Sequence, residues 1–278
     1  MNHGFNLQLE REHQKGDEWV FGSTNLKCIA EYIPEDKRVE YLPLGEIQRG
    51  IEDMMDCATR GPINILETKF NYLIRNKLLS FDLEYWLREN GYFDGNNITF
   101  SDAFIAIKSG TNKQGNSMKA TLEAIRKCGL IPKKMLPLEV WMDWEHYHNP
   151  ERITEEMENL GWEFLKRLTI NYEKVYEPDF SKLLIKDMLN VAGYAWSEPI
   201  NGEYPKIDRD PNHVFVDVKR PQHYIFDNYP DSYDGDFFKK LAPDYKLMDY
   251  GYRILINGEK AKKGFWDFII KFMRELFK

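Results

Sequence analysis

The chain has 278 residues, enough for one large core or for two lobes that face each other across a cleft. Acidic residues outnumber basic ones by 45 to 38, and the formal net charge of −7 speaks against a nucleic-acid binder. Three widely spaced cysteines, Cys28, Cys57 and Cys128, form no CxxC pair, which excludes a disulfide framework and fits free thiols in a reducing compartment.

Residues 1–20 are charged and aperiodic, which predicts a mobile arm or an edge strand, and they contain no apolar segment of the secretory-signal type. No run of about eighteen apolar residues exists to span a membrane, so a cytoplasmic or virion-associated protein is expected. Residues 28–44 read as extended, punctuated by Pro34 and Pro43. The apolar spacing of Ile63, Leu66, Phe70, Leu73, Ile74 and Leu78 predicts a central helix over 63–79. Pro62 suits the first helical position, which would leave Cys57 in the preceding loop.

A second helix is predicted from Ser80 to Glu89, stopping at Asn90-Gly91. A short helix capped by Ser101 follows, then a turn-rich loop over 109–117. Met118 to Cys128 reads as a helix ended by Gly129. Trp141 to His148 is aromatic and irregular, and Ile153 to Leu168 is an amphipathic helix. Strands are predicted at 169–176 and 191–196, with a helix at 180–189 between them. After a loop over 199–211 come two apolar strands, one opening on His213 and one ending on Asp227, joined through a turn at Lys219-Arg220-Pro221-Gln222. A last strand closes the set at 250–257.

Two strands so joined pair antiparallel, which brings the His213 imidazole beside the Asp227 carboxylate. Such a pair needs only a nucleophile to form a triad, and Cys57 is the candidate upstream. Cys28 and Cys128 read as structural thiols. Glu52, Asp53 and Asp56 crowd Cys57, and carboxylates raise a thiol pKa. His146 and His148 sit two apart among aromatics, without metal-ligand spacing, so neither a metal nor a cofactor is expected.

The order Gln48, Cys57, His213, Asp227 resembles that of papain-like cysteine peptidases. Asn212-His213-Val214 is similar to their Asn-His-Gly/Ala-Val strand, and Phe226-Asp227-Asn228-Tyr229 to their Lys-Asn-Ser-Trp segment. The wording is most similar to divergent papain-like proteins of phages and bacteria, and it departs from the family in lacking the Cys-x-x-Cys-Trp motif, with Ala58 in place of the Trp. The resemblance implies an α+β papain-like two-lobe fold, a helical lobe and an antiparallel β-barrel-like lobe. It implies Gln48 and the Cys57 backbone N–H as oxyanion donors, Gly115 and Asn228 at the substrate cleft, and Asn228 as the rival to Asp227 for orienting the imidazole. The first forty residues are shorter than the inhibitory prosegment of secreted relatives, which speaks against a zymogen of that type.

The expected organisation is an arm over 1–39, a catalytic domain over 40–257 (helical lobe about 45–140, β-lobe about 169–257) and a C-terminal amphipathic helix within 258–278. The expected activity is hydrolysis of a peptide or protein through a thioacyl-enzyme. The alternatives are a papain-fold binding or assembly protein with a decayed site and, ranked lower, transglutaminase-like acyl transfer. In the tail, Phe265, Phe268, Ile269, Phe272, Met273 and Leu276 fall on one helical face behind Lys260, Lys262 and Lys263. That face is expected to be covered, in part by a protein partner or a second copy, with a membrane surface less favoured.

Overall fold

A computed structural model describes residues 3–14, 19–21, 28–29, 32–184, 186–219, 224–230 and 236–258. Helix α1 (Leu7–His13) is followed by a short 3-10 turn (Glu35–Lys37) that runs into α2 (Arg38–Tyr41). Then come α3 (Cys57–Arg75), α4 (Phe81–Glu89), a small hairpin of β1 (Phe93–Asp94) and β2 (Asn97–Ile98), α5 (Asp102–Lys108), α6 (Met118–Cys128), α7 (Trp144–Tyr147) and α8 (Glu155–Arg167). The second half carries β3 (Leu168–Tyr176), α9 (Phe180–Leu184), β4 (Leu189–Gly193), β5 (His213–Lys219), β6 (Tyr224–Phe226), β7 (Phe238–Lys240) and β8 (Leu247–Gly258).

Local chemistry accounts for most helix boundaries. Ser80, Ser101, Ser117 and Thr154 each accept a hydrogen bond from the backbone N–H three residues on, satisfying one orphan donor of α4, α5, α6 and α8. Gly129 ends α6 at φ 74°, and a Cβ there would stand 2.1 Å from the Gly161 carbonyl oxygen, so the close crossing of α6 and α8 requires glycine. Several segments differ from the sequence-based expectation, among them the helix expected over 180–189, which ends at Leu184 with a strand starting at Leu189. Residues 35–41 form short helices where an extended run was expected, residues 144–147 form a helix where the chain was read as irregular, and residues 7–13 form a helix where a mobile arm or an edge strand was expected.

Strands β3 to β8 form one antiparallel sheet in the order β3-β8-β4-β5-β6-β7. Strand β5 lies inside it and is buried at six of its seven positions. Its alternate side chains serve two faces. Val214, Val216 and Val218 join the main core with α3, while Phe215 joins Phe180, Leu183, Val191 and Ile225 in a second core under α9. That two-sided burial is why the strand reads as a continuous apolar run.

Helix α3 is buried along almost its whole length and starts at Cys57, six residues before the predicted helix start. Pro62 sits inside the helix rather than at its first position. Proline has no N–H to give the carbonyl of Ala58, four residues back. The Thr121 hydroxyl of α6, which also lies 2.8 Å from the Met118 carbonyl, approaches the Ala58 carbonyl at 2.9 Å and takes that place. One residue earlier, Gly61 lets the helix approach the sheet. A Cβ there would meet Asn190 Oδ1 at 2.3 Å and Val214 Cγ1 at 2.9 Å. Ion pairs fix both ends of the contact. Arg60 reaches Asp56 at 3.1 Å and Asp102 at 3.3 Å, and Lys69 reaches Asp187 at 2.6 Å, with Arg253 of β8 on the same carboxylate at 3.0 Å.

The tail helix expected over 264–278 and the turn at residues 220–222 lie outside the described residues. Among the described residues, no helix is long and apolar enough to cross a membrane.

Thr121→Val keeps the shape of residue 121 and leaves the Ala58 carbonyl without a donor. The expected loss is about 1–3 kcal/mol of unfolding free energy, the usual cost of an unsatisfied buried polar group. Urea denaturation followed by circular dichroism reads it, and an unchanged midpoint would show that the helix tolerates Pro62 without the hydroxyl.

Candidate active site

Asp227 immediately follows β6, and its backbone N–H is held by the Phe237 carbonyl at 2.9 Å. His213 opens β5, paired with Gly193 of β4. The β5–β6 register, Val216 opposite Phe226, places the two side chains at the same end of the sheet, and His213 Nε2 lies 2.5 Å from Asp227 Oδ1. Both side chains are fully buried. An ionised carboxylate can only accept, so Nε2 carries a proton and donates it. Nδ1 is left as the atom that gains or loses a proton, and it is buried without a hydrogen-bond partner among the described residues.

The second oxygen of Asp227 is also engaged. Oδ2 accepts from Trp196 Nε1 at 2.9 Å and faces the Lys239 ammonium at 2.9 Å, while Oδ1 takes the Asn228 N–H at 2.7 Å. Burial by itself would raise this carboxyl. The charges of His213 and Lys239, and their hydrogen bonds, outweigh burial and hold it well below the usual carboxylate range. The Trp196 ring stands edge-on to His213, with centroids 5.7 Å apart at 86°.

Cys57 is the first residue of α3, with its thiol fully buried. The backbone N–H of Val214, the residue after His213, points at the sulfur from 3.4 Å. Helix and strand thus meet with the thiol beside the imidazole-bearing end of β5. Burial pushes the Cys57 thiol well up. The Val214 N–H opposes this, and Asp56, Asp53 and Asp227 add to it. Glu52, expected among the crowding carboxylates, instead accepts the Trp144 N–H at 2.8 Å. Just before the helix, Met55 adopts φ 55°, its N–H bound to Asp53 Oδ1 at 2.8 Å, a strained backbone conformation two residues from the thiol.

Gln48 stands in the same group. Its Nε2 is 2.8 Å from the Tyr229 hydroxyl, 3.0 Å from Asp53 Oδ1 and 3.4 Å from the carbonyl oxygen of His3. That carbonyl belongs to a segment of the chain itself, residues 3–6, which lies across the site. The N–H groups of His3 and Phe5 both reach the Asn212 carbonyl at 3.3 Å. Gly4 and Asn6 bracket Asn116 with two bonds of 2.9 Å, in a parallel bridge. Gly115, at φ 90°, permits the contact, since a Cβ there would stand 2.2 Å from the Gly4 carbonyl oxygen, and a Cβ on Gly4 would stand 2.5 Å from the Met55 backbone. The His3 ring faces His213 at 5.8 Å and Tyr229 at 5.4 Å. Helix α1 anchors the segment through the buried Glu10, which accepts from the Tyr252 hydroxyl at 3.0 Å and from Gln14 at 2.6 Å.

The other candidates fall elsewhere. Asn228 is 2 % exposed and its Oδ1 accepts from Asn64 at 2.9 Å, so its side chain lines no open cleft and the imidazole contact goes to Asp227. His146 bonds Asp143 and His148 stacks on Trp144 at 4.3 Å, and no cluster of three metal-ligating side chains occurs among the described residues. A cavity of about 590 Å³ is lined by Ile74, Leu79, Phe81, Tyr85 and Arg88 at the C-terminal end of α3 and along α4, and includes none of the site residues. Trp196 and Lys239 carried no signal in the sequence. Trp196 read as the end of a buried strand, and Lys239 stands in a Phe-Phe-Lys-Lys run between the predicted strands.

No protein-family model and no curated protein matches this chain. Solved structures do. The proform of the Amb a 11 cysteine protease, a major ragweed pollen allergen, is similar with a TM-score of 0.52 and 13% identity, over 92% of this chain and 77% of that one. The digestive procathepsin L 3 of the Tenebrio molitor larval midgut gives 0.51 and 12% identity over 94% and 76% of the two chains. The procathepsin B S9 of Trypanosoma congolense gives 0.52 and 10% identity over 88% and 85%. The chain therefore has the α+β fold of papain-like cysteine proteases. At these identities the likeness is one of fold, and it singles out no phage or bacterial branch.

Docking of residues 3–6 is expected to depend on pH. Burial, and then the charge of His213, hold His3 down to about 4 from its ordinary 6.5, with Asp53 and Asp227 pulling the other way. A released His3 takes up a proton near its ordinary value, whereas a docked one does so only near 4. Docking is therefore at full strength above about 6.5 and weakens as pH falls through that interval. Alkylation of Cys57 in the full chain, divided by the rate in a chain lacking residues 1–6, should rise from pH 7 to pH 4. His3→Ala should flatten that ratio. A ratio independent of pH in the unmodified chain would contradict the assignment.

Proposed function

We propose that the chain is a cysteine hydrolase that cleaves peptide bonds, with Cys57 as nucleophile, His213 as general base and acid, and Asp227 as the group that orients the imidazole. One observation carries the reading. The thiol lies against the backbone of the strand that carries the carboxylate-held imidazole, and in the same group the Gln48 amide reaches a peptide carbonyl of the chain itself, that of His3, at 3.4 Å. An amide donor that holds a peptide carbonyl, in one group with a thiol and a carboxylate-held imidazole, supplies the parts that acyl transfer needs.

In the proposed cycle, residues 3–6 leave and a substrate peptide takes their place. The Cys57 proton passes to His213 Nδ1, and the thiolate adds to the scissile carbonyl carbon. The oxyanion is held by Gln48 Nε2 and the Cys57 backbone N–H at the start of α3, where the helix dipole favours negative charge. His213 returns its proton to the leaving amine as the C–N bond breaks, leaving a thioester on Cys57. Water then attacks the thioester as His213 takes its proton, and the departing thiolate is reprotonated to the resting thiol. Asp227 stays ionised throughout and fixes the ring through Nε2.

The fully buried thiol, pushed up by that burial, favours one alternative, a papain-fold protein that binds or assembles without turnover. The two readings separate on a chain lacking residues 1–6. The hydrolase reading predicts cleavage of a mixed peptide library by this chain. Cys57→Ala and His213→Ala should each reduce the rate by about three orders of magnitude or more, with the double variant little slower than either alone. Cleavage that survives Cys57→Ala, or a shortened chain that cleaves nothing, would remove the hydrolase reading.

A further inference from the structure

The side chain of Lys239 is 2 % exposed, on a strand whose two flanking residues are half-exposed. A buried ammonium is rare and costly unless it is paired and hydrogen-bonded. Here it is both. Nζ lies 2.9 Å from Asp227 Oδ2, donates to the Tyr229 carbonyl, and stands 5.5 Å from the centre of the Trp196 ring. Position 239 pairs with Ile225 across β6–β7, one strand over from the segment that delivers Asp227. Lys239 therefore reaches the carboxylate oxygen that His213 does not use.

The reaction proposed above needs a thiolate and an imidazolium side by side in a buried site. A lone aspartate would add a second negative charge to that site. It would bind the imidazolium tightly, reducing its readiness to release a proton to the leaving amine, and it would oppose the thiolate. We propose that Lys239 is a positioning residue for this reaction: its buried ammonium balances Asp227, so that the carboxylate holding the imidazole adds no net charge where the thiolate–imidazolium pair forms. Asp227 then orients the ring much as a neutral acceptor would, while keeping the geometry and strength of a carboxylate. The inference rests on the hydrolase reading only for its consequence in turnover, since the charge balance itself is a property of the resting site.

The groups facing His213 are few. They are Asp227, Cys57 from α3, the His3 ring at 5.8 Å, the Tyr229 ring at 5.3 Å with Asp53 bonded to its hydroxyl, and Trp196. Lys239 is the cation held against Asp227 from the side opposite the imidazole.

The test is the titration of His213 in the full chain, followed by NMR of the labelled imidazole. Lys239→Met should raise the midpoint by about one pH unit, a tenfold gain in proton affinity, and Asp227→Asn should lower it by a similar amount. The double variant should return to within about half a unit of the unmodified chain, and Lys239→Arg should leave the midpoint in place. If Lys239→Met fails to fold, the comparison of Asp227→Asn with the double variant decides, because adding Lys239→Met to that background should raise the midpoint. Midpoints that ignore residue 239, in either background, overturn the proposal. The outcome is independent of turnover. Shifts in the full chain, beside a chain lacking residues 1–6 that cleaves no peptide, would retract the hydrolase reading and leave the charge balance standing, and cleavage by the shortened chain without shifts would do the reverse.

Discussion

The architecture around the site depends on one constraint, a carboxylate sealed from water at Asp227. A buried carboxylate persists only if each oxygen is matched by donors or cations. Matching it requires β5 to bring His213, β7 to bring Lys239, the segment after β4 to bring Trp196, and the Asn228 backbone to close the remaining position. Four separate parts of the sheet half of the chain thus converge on one side chain. Removing Lys239 would leave the carboxylate charge uncompensated, and breaking a buried pair in that way generally costs about 3–5 kcal/mol. The site is therefore as much a structural knot as a chemical one.

The second dependence is the approach of α3 to the sheet. The thiol can lie beside Val214 only because Gly61 lacks a side chain and because the helix continues through Pro62. A proline in a helix interior ordinarily costs a hydrogen bond and a steric clash. Here the Thr121 hydroxyl meets the orphaned Ala58 carbonyl, and the ion pairs of Arg60 and Lys69 hold both ends of the helix segment in register. Cys57 consequently sits at the helix start, where the backbone N–H groups favour an anion, whereas the surrounding burial favours the neutral thiol.

Much of this was legible in the sequence, for identifiable reasons. The caps at Ser80, Ser101 and Ser117 are local, so the helices they start could be read directly. The pairing of His213 with Asp227 was readable because antiparallel strands joined by a short connection bring their far ends together. The start of α3 was misplaced because Pro62 normally marks a first turn, and the hydroxyl that supports it comes from residue 121, far along the chain. The covering segment was unreadable because its contacts are backbone hydrogen bonds to Asn116 and Asn212, which carry no side-chain pattern. Lys239 and Trp196 escaped notice because their roles arise only from the sheet register. A lysine in a short strand and a tryptophan after one look ordinary until the sheet and the segment after β4 bring both to the same oxygen.

The central claim is that Cys57 and His213 act together on a peptide bound where residues 3–6 now lie. A peptidyl vinyl sulfone tests it directly, because its capture requires attack by a thiolate and then a proton for the adjacent carbanion. The chain lacking residues 1–6 would be treated with the reagent and mapped by mass spectrometry. The account predicts one adduct, on Cys57, absent when His213 is replaced by alanine. Labelling spread evenly over Cys28, Cys57 and Cys128, or an adduct on Cys57 that forms equally fast without His213, would contradict it.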